Sequence, residues 1–291
     1  MKNGFVPALG TPIDANGAFL TESYSKQIER MLDAGAVALL CMGSMGQQAF
    51  LRPETCVQAA TTAVKCAAGR VPVFVGAMDN SIARAKDRIA SMEHLDLTAF
   101  VFTTPYYEVD TDAQVLTYFK SVAKTTRHGV ILYDLPGVTN HKITYEMVLE
   151  LSREVKNLMG IKSADLAMLR KIHLNPQLAN LKIFYSGLDT FDIAYSWGIG
   201  NILDGMLPCT PCNTQKLIQA LDSGNLADAA QHLSNIVALR DFINARDLWP
   251  CFTVAMNLLG FEGLHAPDWC TAVSSATAEE VRGEMIRIGE L

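Results

Sequence analysis

Lys162 ends a short apolar run, Leu158-Met159-Gly160-Ile161, and is followed at once by Ser163-Ala164-Asp165, which reads as a helix start. A lysine at the C-terminal end of a buried strand is an unusual placement. A buried ammonium is costly, and burial favours the uncharged amine. An uncharged amine in a pocket attacks carbonyl groups and forms a Schiff base. A second apolar strand, Ile131-Leu132-Tyr133, ends in a phenol that can carry a proton. One βα unit separates the two strand ends, so both side chains can open onto the same face. The competing reading of Lys162 is a strand-end lysine with its stem buried and its head in water. Its neighbours decide between the two.

Those neighbours depend on the elements that carry them. Short apolar runs alternate with helix-period segments along most of the 291 residues. Strands are expected over 5–9, 37–41, 71–75, 99–102, 130–133, 158–161, 182–185 and 201–203. Helices are expected over 21–34, 53–68, 82–94, 112–125, 144–151, 166–173 and 191–197. The strands are apolar throughout rather than alternating, as parallel strands buried on both faces are. Eight such βα units predict a (β/α)8 TIM barrel, an α/β fold. A doubly wound sheet ranks second, because Gly43-Ser44-Met45-Gly46 after the second strand is not the G-x-G-x-x-G phosphate loop. Beyond Pro211 the strand signal stops, and helices are expected over 214–221, 226–247, 250–259 and 278–288. The organisation predicted is a barrel carrying the active site over 1–212 and a C-terminal helical extension packed on it over 213–291.

Bulk properties exclude several classes. The chain is 49% hydrophobic and 19% charged, with a formal net charge of −6 and no basic stripe. Nucleic acid and anionic membrane surfaces are therefore not expected as partners. No stretch reaches membrane-span length, and the N-terminus lacks the apolar core of a signal peptide, so a cytoplasmic protein is expected. The 7 cysteines are scattered and odd in number, which suits reduced thiols. Cys209-Thr210-Pro211-Cys212 is a C-x-x-C, read as two ordinary thiols because no second C-x-x-C and no histidine pair at ligand spacing accompanies it. No metal and no cofactor are expected.

In such barrels the site lies at the C-terminal strand ends. The residues there are Gly43-Ser44-Met45-Gly46, Thr104-Pro105-Tyr106-Tyr107, Tyr133 with Pro136 and Thr139, Gly160-Ile161-Lys162, and Ser186-Gly187-Leu188-Asp189. These five motifs, in order and spacing over nearly the whole chain, resemble the dihydrodipicolinate synthase / N-acetylneuraminate lyase family of class I aldolases. The resemblance implies that Lys162 forms the Schiff base with a 2-oxo acid, typically pyruvate. Tyr133 relays protons. Ser44 binds the carboxylate and couples to Tyr133, and Tyr107 completes the relay from a neighbouring subunit of a homo-oligomer, a tetramer or dimer. Substrate contacts are implied for Ser44, Met45, Val138, Gly187, Asp189, Thr190, Ile202 and Asp204. The iminium supplies the electron sink, so no metal is required.

Four positions depart from the family pattern, and one of them is Thr190, which replaces a glutamate that sialate lyases use toward their sugar hydroxyls. Met45 replaces a second hydroxyl with a thioether, which cannot donate a hydrogen bond. Gln47 stands where glutamate is common. Val138 stands where dihydrodipicolinate synthases carry an arginine that clamps a second carboxylate. The expected activity is therefore reversible cleavage of a 2-keto-3-deoxy sugar acid, or an N-acetylneuraminate-like acid, to pyruvate and an aldehyde. The alternatives are dihydrodipicolinate synthase, a dehydratase on the same scaffold, and a non-catalytic 2-oxo-acid-binding protein. A metal-dependent barrel hydrolase is a weaker reading, because the histidines fall mostly on helices and connections.

Overall fold

In the computed structural model, which describes residues 2–108 and 111–291, eight parallel strands form one sheet. They are β1 (Gly4–Pro7), β2 (Leu39–Cys41), β3 (Val73–Gly76), β4 (Ala99–Thr103), β5 (Gly129–Tyr133), β6 (Leu158–Ser163), β7 (Lys182–Tyr185) and β8 (Asn201–Asp204). From β2 to β8 each strand pairs with the next in sequence, and β1 pairs with β8. A bridge between Ala8 and Leu40 closes the ring on the remaining side, with the Leu9 amide donating to the Leu40 carbonyl at 2.9 Å. The expected barrel is the observed one.

Period-two alternation sorts each strand between two cores. Val6, Leu40, Phe74, Val101, Ile131, Phe184 and Leu203 fill the barrel interior. Phe5, Leu39, Cys41, Phe100, Phe102, Leu132 and Ile161 pack outward against the helices. This is why the strands read as unbroken apolar runs.

The helices are α1 (Thr21–Asp33), α2 (Pro53–Ala67), α3 (Ile82–Met92), α4 (Asp112–Ala123), α5 (Pro136–Thr139), α6 (Tyr145–Glu154), α7 (Leu166–Leu174), α8 (Phe191–Ser196), α9 (Pro211–Asp222), α10 (Leu226–Asn244), α11 (Leu248–Leu258) and α12 (Ser275–Arg287). Their starts follow local chemistry. Pro53 opens α2, Thr111 and Gln114 form a capping box on α4, and Asp165 caps α7 by accepting from the Met168 amide at 2.9 Å. The short α5 is absent from the expected elements, because one turn is too brief to register as a period. α9 begins at Pro211 and packs on β1, so the border expected between 212 and 213 falls inside a helix. A proline at the first turn is compatible with helix, and it disguised this start as a loop. α10 lies over α8, α9 and the turn at 188–190, which brings the C-terminal helices to the mouth of the barrel.

His265 locks the C-terminal region to the loop after β1. Its ring is fully buried beside Gly10, and Nε2 donates to the Phe261 carbonyl at 2.9 Å. Burial pulls its pKa down to about 4. The folded value lies below the unfolded one, so the unfolded chain takes up the proton first as pH falls. Stability from this site is complete above about pH 6.5 and is lost toward pH 4, by about 3 kcal/mol. Urea unfolding of wild type and His265→Asn at pH 7 and pH 4.5 checks this. Equal acid losses in the two proteins would remove His265 as the cause.

Candidate active site

Strand parity aims Lys162. Ile161 packs outward against helices, so the next side chain turns into the barrel mouth. Lys162 is 4% exposed and stands in register with Tyr133 on β5, itself 4% exposed. Its Nζ sits 3.8 Å from the centroid of the Tyr133 ring. No ion pair to Lys162 occurs among the described residues. The snorkelling arrangement is therefore not the one observed. The amine lines a cavity of about 290 Å³ together with Tyr133, Ser44, Met45, Asp204 and Arg240.

Ser44 arrives on a tightly packed turn. Its Oγ donates to the Tyr133 hydroxyl at 3.4 Å, at the long end for such a bond. Met42 and Gln47 flank the turn with φ of 57° and 60°, a left-handed conformation that costs a non-glycine residue of order 1 kcal/mol or more. Gly46 is required where it stands: a Cβ there would lie 2.8 Å from both the Leu9 carbonyl oxygen and Met42 Cα. Thr11 Oγ1 donates to the Gly46 carbonyl at 2.8 Å, and Gln47 Nε2 donates to the Thr11 carbonyl at 3.1 Å. Gln47 thus ties the turn to the loop after β1. Met45 lies over Gly205, where any Cβ would fall 2.1 Å from its Cγ. The thioether and Gly205 together form a wall of the lysine cavity.

Asp134 fastens the ends of β5 and β6. Its buried carboxylate accepts from Ser163 Oγ at 2.7 Å, from the Ile143 amide at 2.9 Å and from Lys142 Nζ at 2.8 Å. Lys142 also reaches Asp165 at 3.1 Å. Although burial lowers the Lys142 pKa, these two carboxylates hold it above its ordinary value. The Asp134 amide donates to the Lys162 carbonyl at 2.9 Å. Asp134→Ala strands Ser163 and the Ile143 amide without their acceptor, and should cost roughly 3 kcal/mol in urea unfolding. A loss below about 1 kcal/mol would mean the network does not fix the strand ends.

The remaining expected site residues divide. Asp204 lines the lysine cavity; one carboxylate oxygen accepts from the Met206 amide at 2.8 Å. Burial raises its pKa, and Lys162 opposes the rise. Val138 borders an adjoining cavity rather than this one. Asp189 is held by Arg240 of α10 through two bonds of 2.6 and 2.8 Å, and that guanidinium keeps its carboxyl below the usual range. Thr190 is hydrogen-bonded to the Tyr185 hydroxyl, and Gly187 is the residue that leaves room for that hydroxyl. Ile202 does not reach the site: Leu203 takes the interior position on β8, and Ile202 is fully buried against the helices. Tyr107 is 83% exposed and does not enter the cavity of its own chain. The C-x-x-C is no linked pair, since both thiols are free and Cys209 is buried with its Sγ donating to the Met206 carbonyl.

Arg240 and Asn244 of α10 and Leu248 of α11 also border the lysine cavity. Sequence reasoning missed them, because nothing local distinguishes an arginine on α10 that reaches the barrel mouth from one that faces solvent.

The chain is similar to known proteins in sequence and in fold. The model of the Dihydrodipicolinate synthetase family matches residues 1–284. A 4-hydroxy-tetrahydrodipicolinate synthase of Shewanella baltica is 33% identical over 189 residues, covering 65% of this chain and 64% of the relative. The match thus spans just under two thirds of that relative's length. The dihydrodipicolinate synthase of Thermotoga maritima superimposes with a TM-score of 0.90 at 23% identity, covering 100% of both chains. A prophage protein of the dihydrodipicolinic acid synthase family from E. coli K12, solved in complex with pyruvate, gives a TM-score of 0.89 at 21% identity over 99% of both chains.

Proposed function

The chain belongs to the Dihydrodipicolinate synthetase family, and from that membership together with the setting of Lys162 we propose that it is a Schiff-base lyase joining or cleaving pyruvate and an aldehyde. One observation carries the reading: a buried lysine amine without an ion-pair partner among the described residues, 3.8 Å from a phenol ring whose hydroxyl meets Ser44.

The chemistry follows from the groups in reach. Lys162 Nζ attacks the 2-keto carbon and gives a carbinolamine. Tyr133, fed through Ser44, delivers the proton with which the hydroxyl leaves as water. In the cleavage direction the iminium draws the electron pair of the C3–C4 bond into an enamine. The C4 hydroxyl gives its proton to the Tyr133 relay as the aldehyde departs. Protonation at C3 and hydrolysis then release pyruvate and restore the amine. The amides of the turn 43–46 and the Ser44 hydroxyl would hold the carboxylate. Substrate binding would shorten the 3.4 Å Ser44–Tyr133 contact. Tyr107, exposed on its own chain, suits completion of a neighbouring subunit's relay in a homo-oligomer.

Of the acceptors expected from sequence, a hydroxylated sugar-acid aldehyde would rest on Asp204, since Asp189 and Thr190 are engaged elsewhere. Aspartate semialdehyde lacks its clamp at Val138. A non-catalytic 2-oxo-acid-binding role draws on Met45, whose thioether lines the cavity in place of a hydroxyl.

Borohydride reduction in the presence of pyruvate, followed by intact mass and peptide mapping, tests the reading. A covalent adduct on the Lys162 peptide is expected, and no adduct on wild type would end it. An adduct without turnover of any 2-oxo acid would favour the binding role.

A further inference from the structure

We infer that the aldehyde accepted by this site is uncharged and aromatic, or comparably apolar, and that it sits in a second cavity bounded by Phe50, Met78, Leu135, Val138 and Trp249. The inference rests on the Schiff-base reading above and names its second substrate. The cavity, of about 340 Å³, adjoins the lysine cavity, and Ser44 and Leu135 border both. A tail attached to an adduct on Lys162 would enter it across the border formed by Ser44 and Leu135.

Charge sets the orientation. Lys162 and Arg240, the cationic side chains lining these two cavities, both belong to the first. Among the described residues, no lysine, arginine, aspartate or glutamate lines the second. Arg240 is already paired with Asp189 and Asp241, so the carboxylate of the oxo acid stays beside Lys162 and the turn 43–46, and the tail is left with the second cavity. A second carboxylate there would lose its hydration with no cation to meet it. A polyol tail would lose water from several hydroxyls against walls that are mainly aliphatic and aromatic, where the polar side chains are Ser44, Gln48, Thr103, Tyr106 and Thr139. A ring gains on both counts. Phe50 stands edge-on to Trp249 at 6.4 Å and to Trp269 at 6.3 Å, so a wall of aromatic faces and edges is already assembled. Phe50 remains 53% exposed and Val138 59% exposed beside the cavity, apolar surface that a seated ring would cover. Gln48 also borders this cavity, and its buried carboxamide has no partner among the described residues. It suits one polar ring substituent, such as a phenolic hydroxyl.

The reaction is balanced without a redox partner. From a 4-aryl-4-hydroxy-2-oxobutanoate the C3–C4 bond breaks, the C4 hydroxyl yields its proton, the aryl aldehyde leaves, and the enamine is protonated and hydrolysed to pyruvate.

The test uses the full-length protein and reads pyruvate release from 4-hydroxy-2-oxo-4-phenylbutanoate and from a 2-keto-3-deoxyhexonate, with borohydride trapping of pyruvate on wild type as the control. A kcat/KM about tenfold or more higher for the phenyl compound is expected, the discrimination an apolar pocket can supply. Val138→Arg should cut that value about tenfold, mainly through KM, and raise condensation with aspartate semialdehyde. Trapping at Lys162 with better cleavage of the hexonate overturns the apolar acceptor and leaves the Schiff-base reading intact. So does rapid condensation of aspartate semialdehyde by unmodified protein, or a second copy of the chain closing the cavity to aryl compounds. Absence of any trapped adduct overturns both.

Discussion

Lys162→Ala is expected to abolish the borohydride-trapped pyruvate adduct and to lower carbon–carbon cleavage by on the order of 10⁴-fold or more. Lys162→Arg should fail equally. A guanidinium keeps the charge and the reach, but it stays protonated and cannot add to a ketone. The stability effect has the opposite sign. Lys162 is buried and makes no ion pair among the described residues, so Lys162→Met removes a buried polar head from the barrel mouth. Its thermal midpoint should match or exceed that of wild type. A measurement combining undiminished cleavage in Lys162→Ala with no adduct in wild type would dispose of the nucleophile assignment. A collapse of the fold in all three variants would instead show that the residue is structural.

Tyr133→Phe is the second large effect. The substitution keeps the ring that Lys162 Nζ faces at 3.8 Å and deletes the hydroxyl that Ser44 meets. Packing in the barrel interior is preserved, so stability should change little. Proton transfer should suffer at every stage, in carbinolamine breakdown and in deprotonation of the C4 hydroxyl. We expect kcat to fall by about 10² to 10⁴-fold, with KM nearly constant and a pyruvate adduct that still forms, more slowly. Single-turnover trapping with time separates the two steps. If Tyr133→Phe traps and cleaves at wild-type rates, the phenol is only a packing ring and the proton carrier must be sought elsewhere, with Asp204 next in line.

Much of this molecule is written locally. Each strand is an apolar run because both its faces are buried, and the runs alternate with helices whose first turns carry Pro53, Thr111, Asp165 or Ser274. Strand count, barrel class and the placement of Lys162, Tyr133 and Ser44 at strand ends follow from such short-range signals. The strand end fixes the height of a side chain in the barrel, and period two fixes its side. The same rule separates Leu203 from Ile202, yet that separation needs the strand's parity, which a run apolar on both faces conceals.

What the chain alone did not disclose depends on partners far away in sequence. Asp189 is taken up by Arg240, 51 residues on, because α10 crosses the barrel mouth. Thr190 is claimed by Tyr185 once the turn at 188–190 has closed. Met45 meets Gly205 only when the ring of strands brings β8 beside the turn after β2. The apolar cavity beside Val138 is assembled from four separate strand-end loops and the start of α11. Local periodicity decides which residues are buried and on which side of a strand they lie. Which buried or half-buried polar groups remain free to meet a ligand is settled by long-range packing, since a hydrogen bond satisfied within the protein is one the substrate cannot use.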